Sequence, residues 1–298
     1  MIKDYTDSNF LIVGLARNCE KILDSEIQKI NNAFTETASV DWLIIESDSD
    51  DNTLDVLDAL SRNLNLKYLS LGVLRNEYPK RTERISLCRN HYLNEIKNGD
   101  YEHIDYVVVV DLDGVNSKLT SSSLRTCWNL DVEWDACFAN QSAPYYDIEA
   151  LRHNLWSPTN CSEQEQFLQN LGMDYFNSRY VSRFSKMIRI PVSSRPIKVQ
   201  SAFGGLGIYK KHLFDTGEYV GINEQGNELC EHVYFHTKYL NKANLYIVPS
   251  LINGGWNNHS IHKSIHRILM LYLATRFISI NKLKKFKKFL NRALFKKI

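Results

Sequence analysis

Residues 107–114 read VVVVDLDG, a run of four valines that ends in two aspartates one residue apart. Consecutive β-branched residues favour a strand that is buried on both faces of a sheet. The side chains of Asp111 and Asp113 project to the same side of an extended chain. Because two close carboxylates repel each other, one interpretation is a divalent cation between them, Mg²⁺ or Mn²⁺. The alternative is a strand end with two solvated acids.

Short apolar runs alternate with helical patterns on the amino-terminal side of this stretch. The expected strands are at 10–15, 41–47 and 67–72, and the expected helices are at 16–30, 53–64 and 81–99. This alternation predicts an α/β protein with a central, mostly parallel sheet flanked by helices. In such sheets ligands bind beyond the carboxyl ends of the strands, so we expect the polar residues there to converge. After about residue 130 the pattern is looser, with strands expected at 133–141, 199–211 and 245–253.

The chain has the size and composition of a soluble globular protein, with 298 residues of which 44% are apolar and 23% charged. Its first ten residues contain no apolar stretch of signal-peptide length, so secretion is not expected. The six cysteines are scattered without a paired spacing, which is typical of reduced, mostly buried thiols. We therefore expect a cytoplasmic location.

Positive charge is concentrated at the carboxyl end of the chain. Of the 36 lysines and arginines, 13 follow Glu231, which is the last acidic residue. Residues 281–298, NKLKKFKKFLNRALFKKI, place leucines and phenylalanines on one helical face and most lysines opposite. This pattern predicts a basic amphipathic tail, 261–298, that binds the anionic inner face of the cytoplasmic membrane. A helix docked on the domain is the alternative. Nucleic acid is not an expected partner, because no recognition module accompanies the charge.

Four short segments occur in an informative order. They are IIESDSDDNT (44–53), RISLCRNHYL (84–93), YVVVVDLDG (106–114) and YYDIEALRH (145–153). This order resembles the donor-binding half of GT-A glycosyltransferases and, more remotely, the CAP59-like α-1,3-mannosyltransferases of capsule synthesis. The resemblance covers about half of the chain. It implies a GT-A-type, Rossmann-like domain at 1–260, with a nucleotide-binding half at 1–130 and an acceptor half at 131–260.

The resemblance implies a metal-dependent hexosyltransferase that uses a UDP- or GDP-linked sugar as donor. Its acceptor would be an oligosaccharide or lipid-linked glycan of capsule or lipopolysaccharide synthesis. Mn²⁺ or Mg²⁺ would be held by Asp111 and Asp113, with His259 or, alternatively, His262 as a third ligand. The implied nucleotide-binding residues are Ala16, Arg17, Glu46, Asp48, Arg81, Arg84, Asp111 and Leu112. A metal there suits the chemistry, because the diphosphate gains negative charge as it departs.

Residues 227–236 predict a helix with Glu231 in its first turn and Cys230, Val233 and Tyr234 on its buried side. By the resemblance, Glu231 is the base that accepts the acceptor proton. Glu228 is the rival for that role, and a dipole-stabilising acid is the structural alternative. The expected sugar-binding residues are Asp147, Gly204, Gly205 and Trp256. Tyr145, Tyr146, Arg152 and His153 are further candidates, although the tyrosines also suit a core and the glycines a strand bulge.

Two other functions use the same residues. A nucleotidyl- or phosphotransferase would need the same pair of carboxylates for its metal. A non-catalytic nucleotide-sugar-binding module would keep the fold without turnover. The sequence leaves open the donor sugar and nucleotide, the acceptor and linkage, the anomeric outcome and the oligomeric state.

Overall fold

The computed structural model describes residues 3–260. The strands in this range are β1 (Asn9–Ala16), β2 (Ser39–Glu46), β3 (Leu66–Ser70), β4 (Tyr106–Asp111), β5 (Ala136–Gln141), β6 (Ile197–Lys198), β7 (Leu206–Lys210) and β8 (Leu245–Gly254). The α-helices are α1 (Leu23–Ala33), α2 (Thr53–Ser61), α3 (Arg81–Asn98), α4 (Ser121–Arg125), α5 (Cys161–Asn170), α6 (Tyr175–Ser182) and α7 (Glu231–Thr237). The predicted tail at 261–298 and the candidate ligand His262 lie outside the described residues.

The strands form one sheet in the order β3-β2-β1-β4-β7-β5-β8-β6. β1 to β4 are mutually parallel, and β8 is parallel to β5. β7 and β6 run antiparallel to their neighbours. The prediction of a mostly parallel sheet flanked by helices is therefore confirmed.

The four valines occupy the centre of this sheet and alternate between its two faces. Val107 and Val109 pack into the core that includes the apolar face of α3. Val108 and Val110 pack into the core that includes α1 and α2. Each side chain is at most 1% exposed. Full burial of one such side chain contributes about 1.5–3 kcal/mol, so the run fixes β4 as a central strand.

The first helix begins later than its sequence pattern indicates. A helix was expected from residue 16, whereas α1 begins at Leu23 and a loop occupies 17–22. Asn18 has a left-handed φ of 50°. The Cys19 amide donates to Thr53 Oγ1 at 2.9 Å. The contact with Thr53 keeps residues 17–22 out of the helix. The loop therefore lies beyond the carboxyl end of β1, where ligands bind in sheets of this kind.

The predicted buried side of α7 was wrong. The side chains that α7 buries are those of Glu231, His232, Phe235 and His236, whereas Cys230, Val233 and Tyr234 are only partly buried. The reason lies in the neighbouring elements, because α3 offers an arginine to Glu231 and β7 offers a tyrosine to His236. Two of the polar side chains that α7 buries, Glu231 and His236, are thus hydrogen-bonded inside the protein.

All six cysteines lie within the described residues 3–260, and each is a free thiol, as expected. Five of the six are buried. Over residues 3–260, no helix combines the length and the apolar character that a membrane crossing requires.

Candidate active site

A cleft of about 1230 Å³ lies beyond the carboxyl ends of β1, β2 and β4. The predicted site residues that line it are Ala16, Arg17, Asp48, Arg81, Arg84, Asp111, Leu112, Asp113, Asp147, Glu231 and His259. The predicted residues of the described range that lie outside its walls are Glu46, Gly204, Gly205 and Trp256, together with the further candidates Tyr145, Arg152 and His153. The expected convergence of strand ends therefore produces a single large cleft.

Asp111 is the last residue of β4, and its backbone is fixed from both sides. Its amide donates to the carbonyl of Gly205 at 3.0 Å. Its own carbonyl accepts from Asn116 Nδ2 at 2.8 Å. Burial, reinforced by the neighbouring Asp113 carboxylate, raises the pKa of Asp111 to about 7. Two acids in this arrangement create a site that a cation would stabilise.

His259 lies against the same pair of aspartates. Its Nε2 is 4.0 Å from Asp113 Oδ2, and its ring stacks on Tyr146 with centroids 5.2 Å apart. The contact with Asp113 raises the pKa of His259. Within residues 3–260, no three His, Cys, Asp or Glu side chains are close enough to hold a metal unaided. The donor set fits Mg²⁺ or Mn²⁺, which bind through one or two carboxylates and take their other oxygens from water and phosphate.

Arg89 is the central residue that sequence reasoning missed. It is 4% exposed and projects from the middle of α3. Its Nε donates to Glu231 Oε1 at 3.0 Å, and its Nη2 lies 4.0 Å from Asp111 Oδ1. Its guanidinium also lies over the rings of Phe203 and Tyr219, 5.6 and 5.7 Å from their centroids. Arg89 therefore connects the aspartate pair to the carboxylate on α7.

Glu231 occupies the first turn of α7 and is 8% exposed. Because Arg89 fixes one of its carboxylate oxygens, Glu231 points in a defined direction within the cleft wall. Glu228, the rival candidate, also lines the cleft but is exposed, and its Oε1 accepts from Thr82 Oγ1 at 3.3 Å. Burial and a charged partner distinguish Glu231 as the more strongly oriented of the two acids.

The acidic loop after β2 is held by side chains of β2, β3 and α3. The two oxygens of Glu46 accept from the Ser49 amide at 3.0 Å and the Ser70 hydroxyl at 2.5 Å. Glu46 is 2% exposed, so the expectation that it contacts a nucleotide is replaced by a role inside the loop. Asp48 has a left-handed φ of 61° and forms an ion pair with Arg84 Nε at 3.2 Å. Arg84 thus orders the loop through this ion pair.

Gly204 and Gly205 form a turn before β7 rather than a bulge within a strand. Their φ angles are +72° and +84°, a region that favours glycine. The Gly204 amide donates to Asp147 Oδ2 at 3.0 Å, while the Gly205 carbonyl accepts from Asp111. A side chain at 205 would lie 2.8 Å from the Tyr146 hydroxyl. The glycines therefore position two cleft residues, and neither glycine is among the residues that line the cleft.

Of the remaining sugar-binding candidates, one lines the cleft and the others lie outside its walls. Tyr146 lines the cleft, and its buried hydroxyl has no hydrogen-bond partner in the described part of the chain. Tyr145 is fully buried and belongs to the core, the alternative considered for it. Arg152 and His153 bond to nearby backbone atoms and lie outside the cleft walls. Trp256 is 57% exposed and also lies outside them.

A network of ion pairs lies in the cleft wall next to α5 and α6, and the sequence analysis did not predict it. The carboxylate of Glu149 accepts from Arg183 Nη1 at 2.9 Å and from Ser162 Oγ at 2.6 Å. Arg183 also lies 3.6 Å from Glu165 of α5. These residues are up to 34 positions apart in the chain, so no short motif marks them. The network ties α5 and the end of α6 to the cleft wall.

No protein-family model matches the chain, and no curated protein matches its sequence. Three similar solved structures are those of S. aureus TarS 1-349, of the same protein in complex with UDP-GlcNAc, and of the mannosyltransferase PcManGT from Pyrobaculum calidifontis in complex with GDP-Man and Mn²⁺. Their sequence identities are 13%, 13% and 15%, and their TM-scores are 0.48, 0.47 and 0.47. The matches cover 90%, 90% and 85% of this chain, and 65%, 66% and 58% of those chains. This chain thus spans less than two thirds of the length of each of these matched chains.

Proposed function

We propose that this protein is a glycosyltransferase that moves a sugar from a nucleoside-diphosphate sugar to a hydroxyl of a glycan or lipid-linked glycan. One observation carries the proposal. The cleft at the carboxyl ends of β1, β2 and β4 contains the Asp111–Asp113 pair and, across Arg89, the buried carboxylate of Glu231. A site for a leaving diphosphate and an oriented base are the two groups that direct sugar transfer needs.

The cleft offers suitable surroundings for the donor. Arg17, Arg81 and Arg84 line it near the acidic loop and supply positive charge for phosphate or nucleotide oxygens. Its volume of about 1230 Å³ exceeds the roughly 300–1,000 Å³ of ordinary small-molecule sites, which leaves room for a donor and part of an acceptor. We assign donor binding to residues 1–130 and acceptor binding to 131–260.

The metal that we propose would be held by Asp111 and Asp113, with His259 beside them. When bound, Mn²⁺ or Mg²⁺ supplies positive charge that offsets the charge growing on the departing diphosphate. The protein contributes rigidity, because β4, the Gly205 carbonyl and Asn116 fix the Asp111 backbone before any ligand arrives.

Glu231 is proposed to accept the proton of the acceptor hydroxyl. The hydroxyl oxygen then bonds to the anomeric carbon, and the bond from that carbon to the diphosphate breaks with its electron pair on the phosphate oxygen. Arg89 keeps the Glu231 carboxylate oriented through the 3.0 Å hydrogen bond. A direct displacement of this kind inverts the anomeric carbon, so the configuration of the product tests the role of Glu231.

The experiment uses the full-length protein with a panel of UDP- and GDP-linked sugars, with Mn²⁺, Mg²⁺ or EDTA. We expect release of UDP or GDP, dependent on the metal and lost in Asp113→Ala. Release of a nucleoside monophosphate would instead identify a nucleotidyl- or phosphotransferase. Binding of a sugar nucleotide without turnover on any acceptor would identify a binding module.

Acceptor and location are further parts of the proposal. The resemblance of residues 44–153 to CAP59-like α-1,3-mannosyltransferases supports a capsule or lipopolysaccharide glycan as acceptor, while the panel of UDP- and GDP-linked sugars identifies the donor. The basic segment 261–298 supports a cytoplasmic enzyme that binds peripherally to the inner face of the membrane, where a lipid-linked acceptor would be found.

A further inference from the structure

A buried histidine beside Glu231 has no assigned partner. His232 is 3% exposed, and it is one of the residues that line the cleft. Within the described residues, neither of its ring nitrogens has a hydrogen-bond partner. Buried polar groups are nearly always paired, because an unpaired one costs roughly 1–3 kcal/mol. Since this one lies in a cleft wall, a ligand in the cleft can supply the missing partner.

The ring of His232 is held in place by aromatic neighbours. It stacks on Phe203 with centroids 3.9 Å apart and an angle of 23° between the planes. The ring of Tyr219 meets it edge to face at 6.1 Å. Its Nε2 is 3.7 Å from Glu231 Oε1, which exceeds hydrogen-bond length. The nitrogens are therefore fixed next to the proposed base, and they are not used by it.

His236, one turn later on α7, provides an internal comparison. Its two nitrogens are paired with Ser201 Oγ at 2.8 Å and with the Tyr209 hydroxyl at 3.1 Å. His236 is 1% exposed and is not among the residues that line the cleft. The same helix thus carries one histidine satisfied by the core and one unsatisfied histidine at the cleft.

The chemistry of a neutral imidazole matches a sugar. Burial, aided by the positive charge of Arg89, lowers the pKa of His232 well below its usual value. A neutral ring presents one N–H donor and one acceptor nitrogen. A sugar hydroxyl can pair with either nitrogen, because a hydroxyl both donates and accepts a hydrogen bond. An anionic group would be less suited, because a neutral ring adds no positive charge.

We propose that His232 binds a hydroxyl of the acceptor sugar adjacent to the hydroxyl that Glu231 deprotonates. This assignment rests on the proposed function and deepens it. His232 then selects among acceptor sugars and among the hydroxyls of one sugar, because a sugar lacking a group at that position leaves the imidazole unpaired.

The test compares three full-length variants with the wild-type protein. His232→Phe keeps a planar ring on Phe203 and removes both nitrogens, whereas His232→Gln keeps a donor and an acceptor. His236→Gln is the matched control on the same helix, away from the cleft. The acceptor probes are octyl α-mannoside, octyl β-galactoside and octyl β-glucoside, tested with the donor that the protein binds.

We expect His232→Phe to raise the acceptor KM about tenfold, the equivalent of one hydrogen bond, with the KM for the donor unchanged. His232→Gln should recover most of this loss, and His236→Gln should lower thermal stability without changing the acceptor KM. In protein labelled with ¹⁵N-histidine, the ring signals missing from His232→Phe should shift when an octyl glycoside is added.

Failure of the His232 assignment and failure of the proposed function give different results. Protein that binds the donor but shows neither a His232 signal shift with any of the three glycosides nor an altered acceptor KM overturns the assignment of His232 alone. Protein that binds no nucleotide sugar overturns the proposed function, and the assignment falls with it. Equal losses of donor and acceptor binding in His232→Phe would assign the residue to the structure of the cleft and would also overturn the proposal.

Discussion

A buried guanidinium connects the acidic groups of the cleft. Arg89 is hydrogen-bonded to Glu231 and lies 4.0 Å from Asp111. Both carboxylates are removed from bulk water to different extents, with side-chain exposures of 10% and 37%. In the ligand-free protein, the Arg89 guanidinium compensates the negative charges of both Glu231 and Asp111. The arginine therefore stabilises an acidic site that would otherwise oppose folding.

We expect Arg89→Met to destabilise the protein by about 3 kcal/mol or more, because it leaves Glu231 buried without its charged partner. Urea denaturation of the full-length protein measures the loss. The double variant Arg89→Met with Glu231→Gln should recover a large part of it, since the unpaired charge is then gone. Additive losses in the double-mutant cycle would contradict a direct coupling of the two residues.

A second prediction concerns Asp113, whose side chain is 57% exposed. Asp113→Asn should leave the thermal stability nearly unchanged and lower metal-dependent transfer at least about 100-fold, the usual cost of losing one charge-stabilising group. Nucleoside diphosphate release against Mn²⁺ concentration is the measurement. Asp55→Asn, an exposed acid on α2 outside the cleft walls, is the matched control. Full activity of Asp113→Asn would remove the metal site from the proposal.

At the scale of elements, the turn before β7 fixes the end of β4. Gly205 has a φ of +84°, and a Cβ there would lie 2.7 Å from Val115 and 2.8 Å from the Tyr146 hydroxyl. Gly172, after α5, has a φ of +90°, and a Cβ there would meet no described atom beyond its chain neighbours within 4 Å. The two glycines thus share a backbone conformation and differ in crowding.

We expect Gly205→Ala to cost about 1–3 kcal/mol more than Gly172→Ala, because only the former adds overpacking to backbone strain. Gly205→Ala should also lower activity, since its carbonyl positions Asp111. Urea denaturation and nucleoside diphosphate release measure the two effects. Equal stability losses for the two variants would show that backbone strain alone governs the turn.

The connection between α5 and α6 predicts a dependence of stability on pH. Burial by itself would raise the pKa of Glu149, but Arg183 and the hydrogen bonds from Cys161 and Ser162 lower it below its usual value of 4.5. A carboxylate with a lowered pKa in the folded protein stabilises the fold when ionised. This contribution is complete above the unfolded pKa and is lost as the pH falls through the folded pKa.

We therefore expect Glu149→Gln to have a lower Tm than the wild-type protein at pH 7, and the difference to shrink as the pH falls from 5 to 3. Thermal unfolding followed by circular dichroism measures both curves. Glu224→Gln, at an exposed position, is the control and should give a small difference at every pH. A difference for Glu149→Gln that does not change between pH 7 and 3 would contradict the ion-pair explanation.

At the scale of the whole molecule, charge is divided between two parts of the chain. Up to Glu231 there are 23 lysines and arginines against 34 acids, and the remaining 13 basic residues follow. We propose that the acidic cleft binds its anionic donor through the local arginines and a metal cation. The segment 261–298 carries no acid and should be attracted to anionic lipid.

We expect the full-length protein to sediment with vesicles that contain phosphatidylglycerol and not with neutral phosphatidylcholine vesicles. Replacing Lys284, Lys285, Lys287 and Lys288 by glutamine should weaken this binding by about 1 kcal/mol per lysine. Raising the salt concentration to 0.5 M, where the Debye length falls below about 5 Å, should have a similar effect. Unchanged sedimentation of the fourfold variant would defeat the lipid proposal.

The alternation of β1 to β4 with α1 to α3 could be predicted because these elements carry apolar patterns of their own, whereas α4, α5 and α6 were not predicted. The valine run of β4 and the spaced apolar residues of α3 identify those elements within a few residues. The loop at 17–22 was missed, because its residues have helical spacing and it is contacts with the distant segment 48–53 that hold them open. The buried side of α7 was missed because its partners lie on α3 and β7.

The sequence by itself determined the alternation of β1 to β4 with α1 to α3 and the edge of the sheet at which the polar residues meet. It did so because apolar periodicity is local, and parallel strands place their carboxyl ends together. Only the tertiary structure decided that Arg89 reaches Glu231, 142 positions away, and that Glu46 turns into its own loop. Such contacts join residues distant in the chain, or depend on a side chain's direction, and neither leaves a periodic pattern in the sequence.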